Sequence, residues 1–245
     1  MTEPTRSPAA QESDVEPEVE QQQADAEQQP DAAVPWAMQI AVRYDKSALP
    51  QEMSVCEVTA RAVLELLADP RAVDGEWAGA VAAWEGMHIR KLVRRARGIR
   101  WDKAQSVPGV TVGEGPAQAR AFVPGPVRPL PPEIDTLQVS GTSYPADQPS
   151  SVEDPVLVTV AISPLVDMTS GKAAAQCAHA AQRAYRALQR DSPDLASAWQ
   201  RDGFRLKVIR PTRQEWADWE DAPVHIIDAG FTELDGPTET TRARW

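Results

Sequence analysis

The chain has 245 residues with 25 Lys or Arg and 36 Asp or Glu, which gives a formal net charge of −11. It has no apolar run of about eighteen residues, and polar residues follow Met1, so the sequence predicts neither a membrane span nor a secretory signal. The two cysteines, Cys56 and Cys177, have no metal-ligand spacing. Both are expected to be buried free thiols of a cytoplasmic protein, because that compartment is reducing.

Most of the negative charge lies in two segments. Residues 1–35 contain nine acids and one Arg among Pro, Gln and Ala, with few large apolar side chains. Such a composition cannot offset the entropy of ordering, which predicts a disordered acidic tail. Residues 128–154, here called the connector, are rich in Pro, Ser and acids and are typical of a linker. A solvated spacer is the simpler interpretation of both, and an autoinhibitory tail over basic residues is the alternative.

The remaining segments, residues 36–127 (the first half) and 155–245 (the second half), resemble each other. Each has an apolar strand, a helix with the cysteine, a Trp, a short basic strand, a Trp-bearing stretch and another strand. In chain order, the predicted strands are residues 37–44, 89–96, 110–112, 155–162, 205–211 and 224–227. The order predicts an α/β fold of two tandem mixed sheets with helices on their faces. Such duplication favours an internal pseudo-dimer, and further oligomerisation stays open.

The long helix of the second half, SGKAAAQCAHAAQRAYRAL, has one apolar and one polar stripe, with Thr169 or Ser170 as the N-cap. At about 100° per residue, the predicted core stripe is Ala174, Cys177, Ala181, Tyr185 and Leu188. The opposite stripe is Lys172, Gln176, His179 and Arg183. A solvated face is the simple interpretation of the polar stripe. A cation in the first turn opposes the helix dipole, however, so Lys172 and the free backbone N–H groups also indicate an anion site.

A carboxylate is predicted to meet Lys172. Asp228 ends the strand VHIID just before a turn at Ala229 and Gly230. If this strand runs parallel to the first strand of its half, Asp228 and Thr232 lie at the edge of the sheet where the helix begins. These groups together are able to orient a water and stabilise an oxyanion, as ester hydrolysis requires. The alternative is an Asp228 that caps the turn and pairs with Lys172.

The stretches MTSGKAAAQCAHAAQRAY and IDAGFTEL together resemble the peptidyl-tRNA hydrolase 2 family, over residues 155 to about 236. The resemblance implies a small α/β sheet that hydrolyses the ester between a peptide and the 3′ ribose of tRNA, without a metal or other cofactor. The catalytic residues that it implies are Lys172, Gln176, His179, Asp228 and Thr232. We expect Asp228 to orient or deprotonate water, Lys172 to stabilise charge, and the Thr and Gln to position the ester.

Two departures from the family pattern keep an alternative function open. Phe231 stands where the family tends to have Arg, and the chain stops at TETTRARW instead of a Gly-Pro-rich strand. A non-catalytic tRNA- or RNA-binding protein derived from this fold is the alternative to the enzyme, and an interaction scaffold is a third possibility. His88 and His225 fall in no motif and are interpreted as structural.

The first half resembles a degenerate copy that binds tRNA. Counted from the cysteines, it has Gln51, Val55 and Val58 at the positions of the Lys, Gln and His, and Glu114 and Gln118 at those of the Asp and Thr. It also has the basic run HIRKLVRRARGIRWDK, which favours contact with the phosphates of a polyanionic substrate, a solvated face being the alternative. The predicted tRNA-binding residues are Arg90, Lys91, Arg94, Arg95, Arg97, Arg100, Lys103 and, in the second half, Arg183.

Overall fold

The computed structural model describes residues 34–230, 234 and 236–245. The predicted acidic tail lies almost wholly outside the described residues, and so do Phe231, Thr232 and Glu233. In the part of the chain that is described, no helix has the length and apolar character that a bilayer span requires. Pro35–Trp245 form one compact unit, which contains both halves and the connector.

The secondary structure alternates between strands and helices in both halves. The strands are β1 (Trp36–Arg43), β2 (Lys91–Ala96), β3 (Gly109–Glu114), β4 (Ala117–Phe122), β5 (Gly125–Pro126), β6 (Val158–Ile162), β7 (Leu206–Ile209), β8 (Val224–Asp228) and β9 (Thr238–Arg244). The helices are α1 (Glu52–Ala68), α2 (Pro70–Val73), α3 (Ala78–Glu85), α4 (Ile99–Ala104), α5 (Pro132–Asp135), α6 (Ser170–Asp191), α7 (Pro193–Arg201) and α8 (Arg213–Ala217).

The two halves have the same sheet topology. The strand order is β2-β1-β4-β3 in the first half, with β5 also paired to β1, and β7-β6-β9-β8 in the second. In each sheet the first two strands are parallel and the other pairs are antiparallel. Val110 pairs with Ala121 in one sheet, and Val224 pairs with Ala243 in the other. The predicted α/β fold of two tandem mixed sheets is therefore confirmed.

The predicted order of elements lacked the last strand of each half. Strands β4 and β9 lie in the interior of their sheets, next to the first strand. The segment TETTRAR is polar and charged, so its sequence does not indicate a central strand. The fold accommodates the charge because Arg242, only 5% exposed, stacks on Trp216 at 4.3 Å and donates to Glu239 at 2.8 Å.

The main hydrophobic core lies between the two sheets and includes α1 and α6. These helices pack against each other, while α1 also contacts β7 and α6 contacts β2. Cys56 and Cys177, both buried and free, meet at this contact, where a hydrogen bond between the thiols and burial raise the pKa of Cys56. Because residues at equivalent positions meet and the helix–strand contacts are reciprocal, the halves pack as the subunits of a dimer would.

The connector is packed against the halves. Its Ile134 and Leu137 join a second core cluster with Trp101 on the outer face of the first sheet. Tyr144 and Val152 are also buried, and Tyr144 Oη donates to the carbonyl of Arg43 at 2.8 Å. The interpretation of the connector as a solvated spacer is therefore wrong, because its apolar side chains complete the core of the first half.

Candidate active site

Helix α6 brings the polar stripe to one edge of the second sheet. The side chain of Thr169 accepts a hydrogen bond from the backbone N–H of Lys172 at 3.3 Å, so Thr169 is the N-cap. The predicted apolar stripe from Ala174 to Leu188 is buried. Burial of that stripe directs the opposite stripe away from the main core.

Lys172, Gln176 and Asp228 meet where β8 ends and α6 begins. Strands β6 and β8 run in the same direction, because both are antiparallel to β9. The Nζ of Lys172 lies 2.5 Å from Oδ2 of Asp228, and the Nε2 of Gln176 donates to the same oxygen at 2.7 Å. Gly230, whose φ of 81° is accessible to glycine without strain, donates its N–H to Oδ1 at 2.9 Å.

These contacts keep Asp228 ionised. Burial acts to raise the pKa of Asp228, but the hydrogen bonds from Lys172, Gly230 and Gln176 and the charge of Lys172 outweigh it, so the pKa lies below its usual value. A carboxylate offers about four acceptor positions. Donors among the described residues occupy two positions on Oδ2 and one on Oδ1. The remaining position on Oδ1 suits a water molecule or a substrate hydroxyl.

Two threonines that the sequence did not indicate hold Gln176 in place. Because the carboxylate of Asp228 only accepts, Nε2 of Gln176 faces it, and Oε1 faces the hydroxyl of Thr240 at 3.1 Å. The hydroxyl of Thr241 donates to the backbone carbonyl of Gln176 at 3.2 Å. The β-branched residues in TETTRAR were the available signal, since Thr favours strands.

The cluster lines a cavity of about 690 Å³ that both halves form. The second half contributes residues of α6 and β8, the first half contributes residues of α3, β2 and the segment between them, and the connector contributes Val139. The charged residues in its wall are Glu85, Arg90, Lys91, Lys172, Arg183 and Asp228. His88 and His225, which the sequence indicated as structural, also line it. Cations outnumber acids in this wall, so the cavity favours an anionic ligand.

His179 lies in the wall of the same cavity, and its Nδ1 is 3.1 Å from the Nζ of Lys91. Burial lowers the pKa of His179 well below its usual value, and the charges of Lys91, Arg183 and Lys172 lower it further. The ring is therefore neutral at pH 7. Four of the five predicted catalytic residues thus lie around one cavity, while Thr232 lies outside the described residues.

The basic run does not form a single surface. Arg94 is 4% exposed, and its guanidinium donates to Oε1 of Gln39 at 2.7 Å and to the carbonyl of Leu137 at 3.0 Å. The prediction that Arg94 binds phosphate is therefore wrong, because its guanidinium is buried against the connector. Lys91 is 6% exposed and lies between the halves, and Arg95 donates to the side chain of Gln138 in the connector.

The exposed Lys and Arg residues of the run are Arg90, Arg97, Arg100 and Lys103. Arg90 lies in the wall of the cavity that contains Asp228, here called the site cavity. Arg97 and Arg100 line a second cavity of about 690 Å³ together with Arg43. Strand β2 lines the site cavity up to Val93 and ends one residue before Arg97, so the linings of the two cavities are about 13 Å apart along the strand.

The comparisons with known proteins concern the second half. A family model described as peptidyl-tRNA hydrolase PTH2 matches residues 156–242, which include α6 and the strands that carry Asp228 and Thr240. A search of curated proteins and a search of solved structures found no match to the chain. Over residues 156–242, the second half of the chain is therefore similar to the peptidyl-tRNA hydrolase PTH2 family.

Proposed function

We propose that the protein is a peptidyl-tRNA hydrolase, which cleaves the ester between a peptide and the 3′ ribose of tRNA and recycles the tRNA for translation in the cytoplasm. The observation that carries the proposal is the cluster of Lys172, Gln176 and Asp228 at the wall of the site cavity. A volume of about 690 Å³ is within the range of small-molecule sites and accommodates a terminal nucleoside with its ester. The match to the PTH2 family supports the same reaction class.

Asp228 orients the attacking water in this mechanism. The remaining acceptor position on Oδ1 holds the water, and the lowered pKa of Asp228 makes the carboxylate a weak base. The main role of Asp228 is therefore to align the water molecule, which loses its proton as it attacks the ester. The water oxygen bonds to the carbonyl carbon, the bond to the ribose 3′ oxygen breaks, and the proton from water ends on that leaving oxygen.

Lys172 stabilises the negative charge that develops on the carbonyl oxygen. Its Nζ contacts the carboxylate of Asp228, so a carbonyl carbon beside the bound water lies close to the ammonium. The side chains of Lys172 and Asp228 are 11% and 14% exposed, and poor hydration strengthens such electrostatic stabilisation. Gln176 fixes the orientation of Asp228, and Thr232 and His179 are assigned to contacts with the substrate.

The exposed basic residues hold the body of the tRNA. We assign phosphate contacts to Arg90, Arg97, Arg100, Lys103 and Arg183. The linings of the two cavities are about 13 Å apart along β2, and at about 3.4 Å per phosphate of one stacked strand this distance spans about four nucleotides. An RNA strand whose 3′ end occupies the site cavity therefore reaches the second cavity with its backbone.

Release of labelled peptide from N-blocked aminoacyl-tRNA by the purified chain tests the proposal. Lys172→Met and Asp228→Asn are each expected to lower kcat/KM by about 10²–10⁴-fold while RNA affinity persists. The matched controls are Lys207→Met and Asp154→Asn, because these residues form a similar ion pair at 2.7 Å away from the site cavity. Wild-type turnover in both site variants would refute the mechanism. RNA binding without hydrolysis by the wild-type chain would support the non-catalytic alternative.

A further inference from the structure

The contact between the halves is chemically different on its two sides. Helix α6 packs on β2, and α1 packs on β7. Lys91 in β2 pairs with Met38 of β1, and Leu206 in β7 pairs with Val158 of β6. Met38 and Val158 are at corresponding positions of β1 and β6, so Lys91 and Leu206 are equivalent. Counted from the cysteines, His179 in α6 is equivalent to Val58 in α1. Lys91 and His179 on one side thus correspond to Leu206 and Val58 on the other.

At these two positions one side is apolar and the other is polar, although α1 also places the buried Glu57 against β7, where it accepts from the N–H of Val208 at 2.9 Å. Leu206 and Val58 are 0% and 1% exposed and belong to the main core. Lys91 is 6% exposed, yet its amine contacts His179 at 3.1 Å and also donates to Oε1 of Gln182. Burying an amine where the other half buries a leucine carries a desolvation cost. The costly pair occurs on the side that faces the site cavity, which indicates a functional reason.

The hydrogen bonds define which nitrogen of His179 carries the proton. Glu85 accepts from Nε2 of Gln182 at 2.8 Å, which turns Oε1 of Gln182 towards Lys91. A charged amine has three N–H donors and no acceptor, so Nδ1 of His179 accepts from Lys91. Burial lowers the pKa of Lys91, opposed by Glu85, and a neutral amine keeps two N–H donors, enough for both contacts, but also gains a lone pair that is able to accept from Nδ1–H. When Lys91 donates both bonds, the neutral ring of His179 carries its proton on Nε2.

The Nε2–H of His179 is available to a ligand. Among the described residues, no group accepts a hydrogen bond from it, and the side chain lines the site cavity. We propose that Lys91 of the first half is a positioning residue for the hydrolase site of the second half, where it holds His179 as the tautomer that donates from Nε2 to a substrate oxygen. This inference rests on the proposed function. The first half then supplies a necessary part of the site.

Three variants test this assignment. Lys91→Leu and His179→Val each introduce the residue found at the equivalent position of the other side, and the double variant reproduces both positions. We expect Lys91→Leu to lower kcat/KM by about 10–100-fold, as when a group that orients a site histidine is removed. In the His179→Val background, the same change should have no further effect. The double variant should stay folded, because the apolar pair relieves the desolvation of Lys91, and this gain offsets the loss of the donor to Oε1 of Gln182. Lys207→Met is the matched control and should retain full activity.

Nitrogen NMR of labelled histidine supplies a readout that is independent of turnover. The chain has three histidines, so His179→Val identifies the resonances of His179. The wild type should show a neutral ring protonated at Nε2, and Lys91→Leu should shift this population towards Nδ1–H. Unchanged shifts in Lys91→Leu would refute the positioning role, as would wild-type kcat/KM or additive losses in the double variant. If the wild type does not hydrolyse the ester, the proposed function fails, and the NMR result still tests the role of Lys91.

Discussion

Two arginines of the basic run, Arg94 and Arg97, are expected to have separate roles that matched substitutions distinguish. Arg94 is buried and donates to Gln39 and Leu137, whereas Arg97 is exposed beside the second cavity. Methionine keeps much of the apolar stem of each side chain and removes the guanidinium. Arg94→Met should therefore destabilise the fold, and Arg97→Met should weaken RNA binding.

The magnitude for Arg94 follows from the two acceptors that lose their donor. Each buried acceptor left without a donor costs about 1–3 kcal/mol. Burial lowers the pKa of Arg94, so its removal also relieves a desolvation penalty that offsets part of this cost. We expect a net loss of about 2–3 kcal/mol in the free energy of unfolding, which lowers Tm by about 4–12 °C in a domain of this size. Arg97→Met should change stability by less than about 0.5 kcal/mol.

Thermal unfolding and RNA affinity across a series of salt concentrations measure both effects. Arg97→Met should reduce the slope of log affinity against log salt by about 0.7–0.9, as expected for one lost phosphate contact. Arg94→Met should leave that slope unchanged. If Arg94→Met reduced the slope with no change in Tm, the guanidinium of Arg94 would contact phosphate, and the assignment of this residue to the core would be refuted.

Three further predictions concern the site and the contact between the halves. Thr240→Val should lower kcat about tenfold and the free energy of unfolding by about 1–2 kcal/mol, because Oε1 of Gln176 loses its hydroxyl partner. Hydrolysis assays and urea unfolding measure the two effects, and an unchanged kcat would contradict the prediction. Glu52 accepts hydrogen bonds at 2.6 Å from two donors of the second half, so Glu52→Ala should cost about 2–3 kcal/mol in urea unfolding, with Glu52→Gln less affected. Folding lowers the pKa of Asp228. The carboxylate therefore stabilises the fold at pH values above its pKa in the unfolded chain, about 3.9, and this stabilisation is lost as the pH falls through the lower pKa of the folded protein. The stability difference between wild type and Asp228→Asn should therefore be constant from pH 7 to about pH 5 and shrink below about pH 4; a difference that grows on acidification contradicts this.

Much of the fold and part of the site could be predicted from local patterns in the sequence. Hydrophobic periodicity indicated the helix that carries Lys172, and the aligned cysteines indicated the repeat, since both are properties of neighbouring residues along the chain. The meeting of Lys172 with Asp228 followed from a general rule about sheet edges and strand direction. These predictions succeeded because amphipathic elements have few ways to bury their apolar faces.

The remaining features depend on contacts between segments that are distant in sequence. The pattern of the basic run treats Lys91, Arg94 and Arg97 alike, yet two of them are buried and one is exposed. Their environments are created by α6 and the connector, which the run itself does not encode. Likewise, TETTRAR occupies the centre of a sheet because other segments supply partners for its charges and hydroxyls. Local sequence thus specifies which elements form, whereas the packing of the two halves specifies which charges lose water and which side chains share a cavity, because desolvation and hydrogen bonding depend on every neighbour of a group.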